Sequence, residues 1–358
     1  MTLLAALTAE VEAAAHPHSG GADCACPVSS TPLADRPDAT VVRHHDTVAK
    51  AHAPGADPTE LALRLATAAR FPDILLAPLD PAPTLLHDRL VSFWPYGTPV
   101  DPDDSDVAPW EATATLLAHL HRTPPPAGLP PMRGPAKAAR AIARLHTALH
   151  ATARTTTDAD TDDSEVTGSG AADSRVVGRE VPVPVAPPHR APGPATPRAA
   201  APVLAAWAAL PAWARGETAM PGVPALCHGD LHLGQLVRHP VPDGAWRLID
   251  VDDLGVGAPA WDLARPAAWY ACGLLPPDAW SRFLGAYRRA GGPAVPATGD
   301  PWPALDVPAR ALTVQTAALA LGKALEANRP LDAVEQEMID TCARMVRIPH
   351  QLAPGSPH

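Results

Sequence analysis

Apolar residues at three- and four-residue spacing open the chain, and "MTLLAALTAEVEAAA" predicts a helix ending near Ala15. The period then shortens. Residues 26–53 read as an antiparallel meander, clearest in "ATVVRHHDTVAKAHA": a β-branched run, a turn at "HHD", then a second apolar run that carries Lys50. "APGADPTELALRLATAARF" reads as a helix, with Asp57 at the N-cap, Pro58 in the first turn and Glu60 at the third position of a capping box. "DILLAPL" and "LLHDRLVSFWPYG" predict two more strands. Residues 1–93 therefore form one expected lobe, a small sheet with a helix laid against it.

Two prolines and a glycine in "WPYGTPV" break this pattern, so residues 94–100 are expected to be an inter-lobe connection. The second expected lobe, 101–358, is mostly helical. "PWEATATLLAHLHRTP" and "GPAKAARAIARLHTALHATAR" both repeat apolar positions with helical spacing. Residues 155–200, rich in Thr, Asp, Ser, Gly and then Pro, lack periodic apolar content and read as a disordered or weakly ordered insertion. Helical pattern resumes at "VLAAWAALPAWARG"; a loop and a strand follow, and helices then run almost to the C-terminus.

Two lobes suit a chain of 358 residues better than one core does. A net charge of −10 with no basic stripe argues against nucleic acid as a partner. Five cysteines, an odd count without disulfide-framework spacing, suggest a reducing, cytoplasmic setting. No apolar run is long enough to span a bilayer. "HPHSGGADCAC" gathers His16, His18, Cys24 and Cys26, all metal-ligand types, but Cys-x-Cys is not the zinc-knuckle spacing and no metal is assigned there. Lysine occurs only three times, as Lys50, Lys137 and Lys323, so each position calls for a reason.

The chemistry concentrates in "CHGDLHLGQLV" at 227–237 and "RLIDVDDLGVGAPAWDLA" at 247–264. Asp230, an amide at Gln235 five residues on, and Asp250 at the end of the next strand make a compact base-and-metal set. Phosphoryl transfer needs such a set: a carboxylate to position and deprotonate a hydroxyl, and an amide oxygen with a second carboxylate to hold Mg²⁺ against nucleotide phosphates. His-x-Asp followed by an amide at +5 is the spacing of a kinase catalytic loop. Lys50, on a strand of the N-terminal sheet, would grip the phosphates.

With "VAKAH" and "VSFWPYGTPV", these stretches resemble the aminoglycoside phosphotransferase family, kinase-like enzymes of small molecules related to choline kinases and to maltokinase-like sugar kinases. The resemblance implies a protein-kinase-like, two-lobed α+β fold, with a small antiparallel sheet in the N-lobe and a mostly helical C-lobe. It implies Asp230 as base, Gln235 and Asp250 as metal ligands, Lys50 on the phosphates, Ser92 to Gly97 (with Trp94 and Tyr96) as the adenine-facing hinge, and Asp262 as a brace of the loop. Gln235 departs from the usual asparagine, and "HLGQ" is closer to the sugar-kinase version. The cofactors implied are ATP or GTP with Mg²⁺; the acceptor implied is a hydroxyl of an aminoglycoside, another sugar or an amino alcohol. A kinase of peptide Ser/Thr and a nucleotide-binding pseudokinase with a scaffold role stay open as alternatives.

Some residues carry two readings. His228 is expected to hold the loop through backbone hydrogen bonds. His232 is either a brace or a substrate contact. Glu60 either pairs with Lys50 or closes the capping box. In an extended strand Asp252 shares the face of Asp250 and so the metal or substrate. Trp94 and Tyr96 either pack the lobe junction or stack on a base.

Overall fold

The computed structural model describes residues 1–16, 29–101, 108–162 and 194–348. His18, Cys24 and Cys26 lie outside the described residues, as does 163–193, most of the expected insertion. The described residues fall into two compact units, one from within 1–136 and 211–312, the other from within 137–210 and 313–348.

In the first unit, helix α1 (Leu3–Ala15) starts where the Thr2 hydroxyl accepts from the Ala5 amide. Five antiparallel strands follow in the order β1-β2-β3-β5-β4: β1 (Thr31–Arg36), β2 (Ala39–His44), β3 (Thr47–Ala51), β4 (Thr84–Leu86) and β5 (Arg89–Pro95). Alternation puts Val42, Ala49, Ala51 and Val91 on one face of this sheet, and Leu7 and Val11 of α1 cover them. Helix α2 (Pro58–Arg70) begins as predicted, the Asp57 carboxylate accepting from the amides of Thr59 and Glu60. The capping box stays half made, because the Glu60 side chain turns to arginines instead.

Two of the expected strands come out differently. "DILLAPL" contributes a single parallel bridge, Leu75 to Leu248, flanked by Leu76 N donating to Leu248 O and Leu248 N to Ile74 O. Ile74, Leu75 and Leu76 are all buried, a continuous apolar run, and Pro72 and Pro78 remove the amides a longer ladder would need. "LLHDRLVSFWPYG" folds back as the β4–β5 hairpin, with His87 in the left-handed region at φ 53°. The His-Asp pair that predicted the β2–β3 turn recurs here at the second turn.

After β6 (Thr98–Pro99) come α3 (Trp110–Arg122), α4 (Gly134–Asp162), α5 (Ala200–Ala209), β7 (Ala225–Cys227), β8 (Leu236–His239), β9 (Ala245–Leu248) and β10 (Gly255–Gly257). Helices α6 (Ala264–Ala271), α7 (Pro277–Arg289), α8 (Trp302–Glu326) and α9 (Ala333–Met345) complete the chain. β6, β8 and β9 make a three-stranded sheet, and β7 pairs with β10. The apolar faces of α3 and α7 close over these strands, burying Leu117, Leu120, Leu226, Leu236, Leu248 and Phe283. Tyr270, Trp280 and Trp302 stack alongside.

The second unit is helical. Val203 and Ala206 of α5, and Met338, Ile339 and Cys342 of α9, are buried. Helix α9 carries a complete capping box between Asp332 and Glu335. Helix α4 extends to Asp162, past residue 155 where the insertion was expected to begin.

Candidate active site

The loop between β7 and β8 is built from three amides, two imidazoles and one buried carboxylate. Asp262 follows a short 3-10 turn, Pro259–Trp261, and is 1% exposed. Its oxygens accept from His228 N at 2.6 Å, Gly229 N at 2.7 Å and His121 Nε2 at 3.0 Å. Burial alone would raise its pKa; the His121 hydrogen bond and the surrounding donors hold it below the ordinary carboxylate value. Gly229 has φ 86°, and a Cβ there would run into the Asp253 carbonyl, so the turn before Asp230 admits only glycine. His228 Nε2 meets Ile249 O at 2.8 Å, which ties this loop to the end of β9, and His228 Nδ1 accepts from Asp230 N. Cys227 also comes within ligand distance of His121 and Asp262, but the Asp262 oxygens are taken by their three donors.

Asp230 projects next to Arg265 on α6. Arg265 NH2 donates to Asp230 Oδ1 at 2.9 Å, and its Nε donates to Leu231 O at 2.9 Å. One guanidinium therefore fixes both the carboxylate and the backbone beyond it. Sequence reasoning missed Arg265: it follows Asp262 by three residues, but nothing in that spacing says which way the first turn of α6 faces. His232 lines the neighbouring cleft, and its Nδ1 accepts from Gly234 N at 3.1 Å. Burial first, then Arg265, depress its pKa to about 4, so the ring is neutral at pH 7.

A second cluster gathers on Lys50, which is 12% exposed. Its Nζ lies 2.7 Å from Asp250 Oδ1 and 3.0 Å from Asp252 Oδ2. Burial is the largest influence on Lys50 and would lower its pKa; the two carboxylates outweigh it and raise the pKa above the ordinary lysine value. Burial would raise Asp250 and Asp252, but Lys50 holds both low, with His52 adding to the effect on Asp252. The carboxylates do not meet by strand alternation. β9 ends at Leu248, Asp250 takes the left-handed conformation at φ 66°, and a turn follows at Asp252 and Asp253. A non-glycine residue there costs roughly 1–2 kcal/mol, and aspartate is among the types that tolerate it. Gln235 Nε2 donates to Asp250 Oδ2 at 3.2 Å, so the amide and the carboxylate stand side by side.

Asp252 is itself held. Trp94 Nε1 donates to Ser92 Oγ at 2.8 Å, which leaves the single hydroxyl proton of Ser92 for His52 Nε2 at 2.7 Å. His52 Nδ1 then carries the ring proton and donates to Asp252 Oδ1 at 2.7 Å. The Ser92 side chain is therefore committed to this relay, not turned to the cleft. Glu60 is likewise not brought to Lys50. Its Oε2 accepts from Arg64 at 3.0 Å and Arg133 at 2.9 Å, and Arg64 Nε reaches Leu254 O at 2.8 Å. These arginines hold the Glu60 carboxyl below its ordinary pKa.

Between the sheet and this loop lies a cleft of about 340 Å³. Lys50, Asp250, Gln235 and His232 form its polar end; Val48, Leu76, Val237 and Ile249 contribute apolar walls. Trp94, Tyr96 and Gly97 line its rim. The Arg43 guanidinium covers the Tyr96 ring at 3.3 Å, and Tyr96 N donates to Asp46 O at 2.7 Å. A Cβ on Gly97 would strike Val237, so glycine lets the connection run against β8.

An apolar slot with a lysine, two carboxylates and an amide at one end, beside a separately braced carboxylate, is the arrangement of a kinase-like phosphotransferase. The sequence profile of the phosphotransferase enzyme family matches residues 35–302, and the chain belongs to that family. It is a small-molecule phosphotransferase acting on a hydroxyl group. No curated protein matches the sequence. Among solved structures, an ethanolamine kinase from Plasmodium vivax superposes with a TM-score of 0.50 at 11% identity, over 94% of this chain and 85% of that one. A thermostable mutant of aminoglycoside phosphotransferase APH(4)-Ia, solved with AMP-PNP and hygromycin B, gives 0.50 at 12% identity, over 94% and 98%. A macrolide 2'-phosphotransferase from Brachybacterium faecium gives 0.43 at 19% identity, over 96% and 98%. The fold is the expected kinase-like α+β fold. Among the described residues no helix is long and apolar enough to cross a membrane.

Proposed function

We propose that the chain transfers the γ-phosphoryl group of ATP to a hydroxyl of an aminoglycoside, another sugar or an amino alcohol, with Asp230 as the base. The observation that carries this reading is the convergence of Lys50, Asp250 and Gln235 at the polar end of an apolar-walled cleft. In the proposed arrangement strands β1–β5 with α2 form the nucleotide lobe and residues 94–100 the hinge. The base lies between Val48, Leu76, Val237 and Ile249, with Trp94, Tyr96 and Gly97 at the rim. A purine is flat and apolar-faced, which suits such walls. GTP would fit the same walls. Ser92 and Glu60 act one step removed: Ser92 through His52 on Asp252, Glu60 by joining α2 to Arg133.

Asp250 and Gln235 fit a magnesium ion. One offers a carboxylate and the other an amide oxygen, both hard donors; Gln235 turns its Nε2 to Asp250 Oδ2 at 3.2 Å, and turning the amide over would present Oε1 to an ion beside that carboxylate. Bound there, Mg²⁺ would neutralise charge on the β- and γ-phosphates. The protein's own groups do the rest. Lys50 holds phosphate oxygens. Asp230, held in place by Arg265, accepts the acceptor's hydroxyl proton as the acceptor oxygen bonds to the γ-phosphorus. The bond to the β-phosphate oxygen breaks, and a nucleoside diphosphate leaves. Neutral His232 beside the loop offers an uncharged contact to the acceptor.

The test is ADP release across a panel of hydroxyl compounds, with Asp230→Asn and two Gln235 variants. Asp230→Asn should lower kcat by about a hundredfold or more and leave nucleotide affinity near wild type. Gln235→Asn keeps the amide oxygen and should stay active, whereas Gln235→Leu should lose Mg²⁺-dependent stabilisation by ATP. Near-normal turnover of Asp230→Asn removes that residue from the role of base. Wild-type behaviour of Gln235→Leu removes the amide from the metal site.

A further inference from the structure

Three imidazoles meet where α1 ends. His16 caps that helix, His44 closes β2, and His45 opens the β2–β3 turn. The ring centroids lie 4.8–5.7 Å apart. One nitrogen from each ring lies within 4.8 Å of the others, and His16 Nε2 is 3.1 Å from His44 Nε2. His44 is buried, and His45 Nε2 is buried with no hydrogen-bond partner.

The surroundings fix the protons. Ser30 Oγ lies 2.6 Å from Glu12 Oε1 and 3.1 Å from His44 Nδ1. A hydroxyl has one proton, and the Glu12 carboxylate can only accept it. Ser30 must then accept from His44, so Nδ1 carries the ring proton and Nε2 presents a lone pair to the other two rings. Burial first, then the neighbouring His45, lower the His44 pKa. A carboxylate acting through a hydroxyl on the far nitrogen of an imidazole is how metal-bound histidines are oriented.

A hydrogen bond between His16 and His44 would satisfy one pair and leave His45 Nε2 unpaired. A cation accommodates all three. Bonds of about 2.0–2.1 Å in a tetrahedral site put two nitrogens about 3.3–3.4 Å apart, close to the 3.1 Å between His16 and His44. We propose that His16, His44 and His45 form a binding site for a divalent transition-metal cation, zinc, with one coordination position left for water. Imidazole ligands select zinc over the magnesium that suits Asp250 and Gln235. The site would clamp the end of α1 to the β2–β3 hairpin, whose second strand carries Lys50.

The test uses the full chain, stripped with chelator and free of Mg²⁺, titrated with Zn²⁺ by calorimetry and thermal shift. One zinc should bind and raise the Tm, and Asp250→Ala should bind it equally well. His44→Gln/His45→Gln should bind at least a hundredfold more weakly. Ser30→Ala keeps every ligand and loses the group that orients His44; its affinity should fall about 10–100-fold, a readout that survives if the double variant does not fold. Cys24→Ser/Cys26→Ser should bind as wild type does. Absence of zinc binding by the wild type, unchanged affinity in the double variant or in Ser30→Ala, or loss of binding on removing the cysteines would each overturn the proposal.

Discussion

Asp252→Asn should weaken MgATP binding ten- to a hundredfold without unfolding the protein. Asn keeps the size of the side chain and an oxygen for His52, and removes only the charge facing Lys50. At 3.0 Å and an effective dielectric near 20, that attraction is about 5–6 kcal/mol before desolvation. Most of it is offset by the cost of burying the carboxylate, and Asp250 at 2.7 Å still pairs the ammonium in the free protein. In the nucleotide complex the balance changes. Asp250 is then committed to the ion, in the reading above, and Asp252 is left to aim Lys50. A residual of about 1.5–3 kcal/mol is the ten- to hundredfold expected. Calorimetric titration of MgATP into wild type, Asp252→Asn, Lys50→Ala and the double variant measures it. In the Lys50→Ala background the Asp252 substitution should cost little more. Undiminished affinity in Asp252→Asn, or an equal cost with and without Lys50, would refute the argument that Asp252 acts through the lysine.

Two further outcomes follow from the loop. Asp262→Asn turns one acceptor oxygen into a donor against three N–H groups, and should cost about 3 kcal/mol or more in urea unfolding; stability equal to wild type would show that the buried brace is dispensable. His232 carries the pH dependence: below its ordinary value of 6.5 the unfolded chain binds a proton that the folded ring refuses until about pH 4, so stability falls as pH is lowered through that window. The loss should reach about 2 kcal/mol at pH 5 relative to His232→Gln, and parallel stability curves for the two proteins between pH 7.5 and 4.5 would sink the idea.

The elements that could be read ahead of the structure are those with local causes. Asp57 and Pro58 start α2 because a cap and a first-turn proline act within three residues. The β7–β8 loop is legible through its spacing, since Asp230 and Gln235 belong to one loop, whereas the need for glycine at 229 comes from its positive φ and from the Asp253 carbonyl of a distant segment. "DILLAPL" was misread because a buried connection and a buried strand have the same continuous apolar pattern, and only the prolines at either side distinguish them.

The partners of the charged groups are another matter. Asp250 and Asp252 were expected to share a strand face; they reach Lys50 because a left-handed residue and a turn redirect the chain. Glu60 had two local readings, and arginines at 64 and 133 took it from both. Arg265 reaches Asp230 across 35 residues, and His16 meets His44 across 28. A search for ligand types at short spacing therefore stops at "HPHSGGADCAC", while the imidazoles that converge come from a helix end and a hairpin turn. Lysine scarcity marks Lys50 as a residue with a purpose. It cannot say that the counter-charge comes from beyond β9 and not from α2, because that choice is made by the backbone at Asp250, where one positive φ decides which carboxylates the lysine meets.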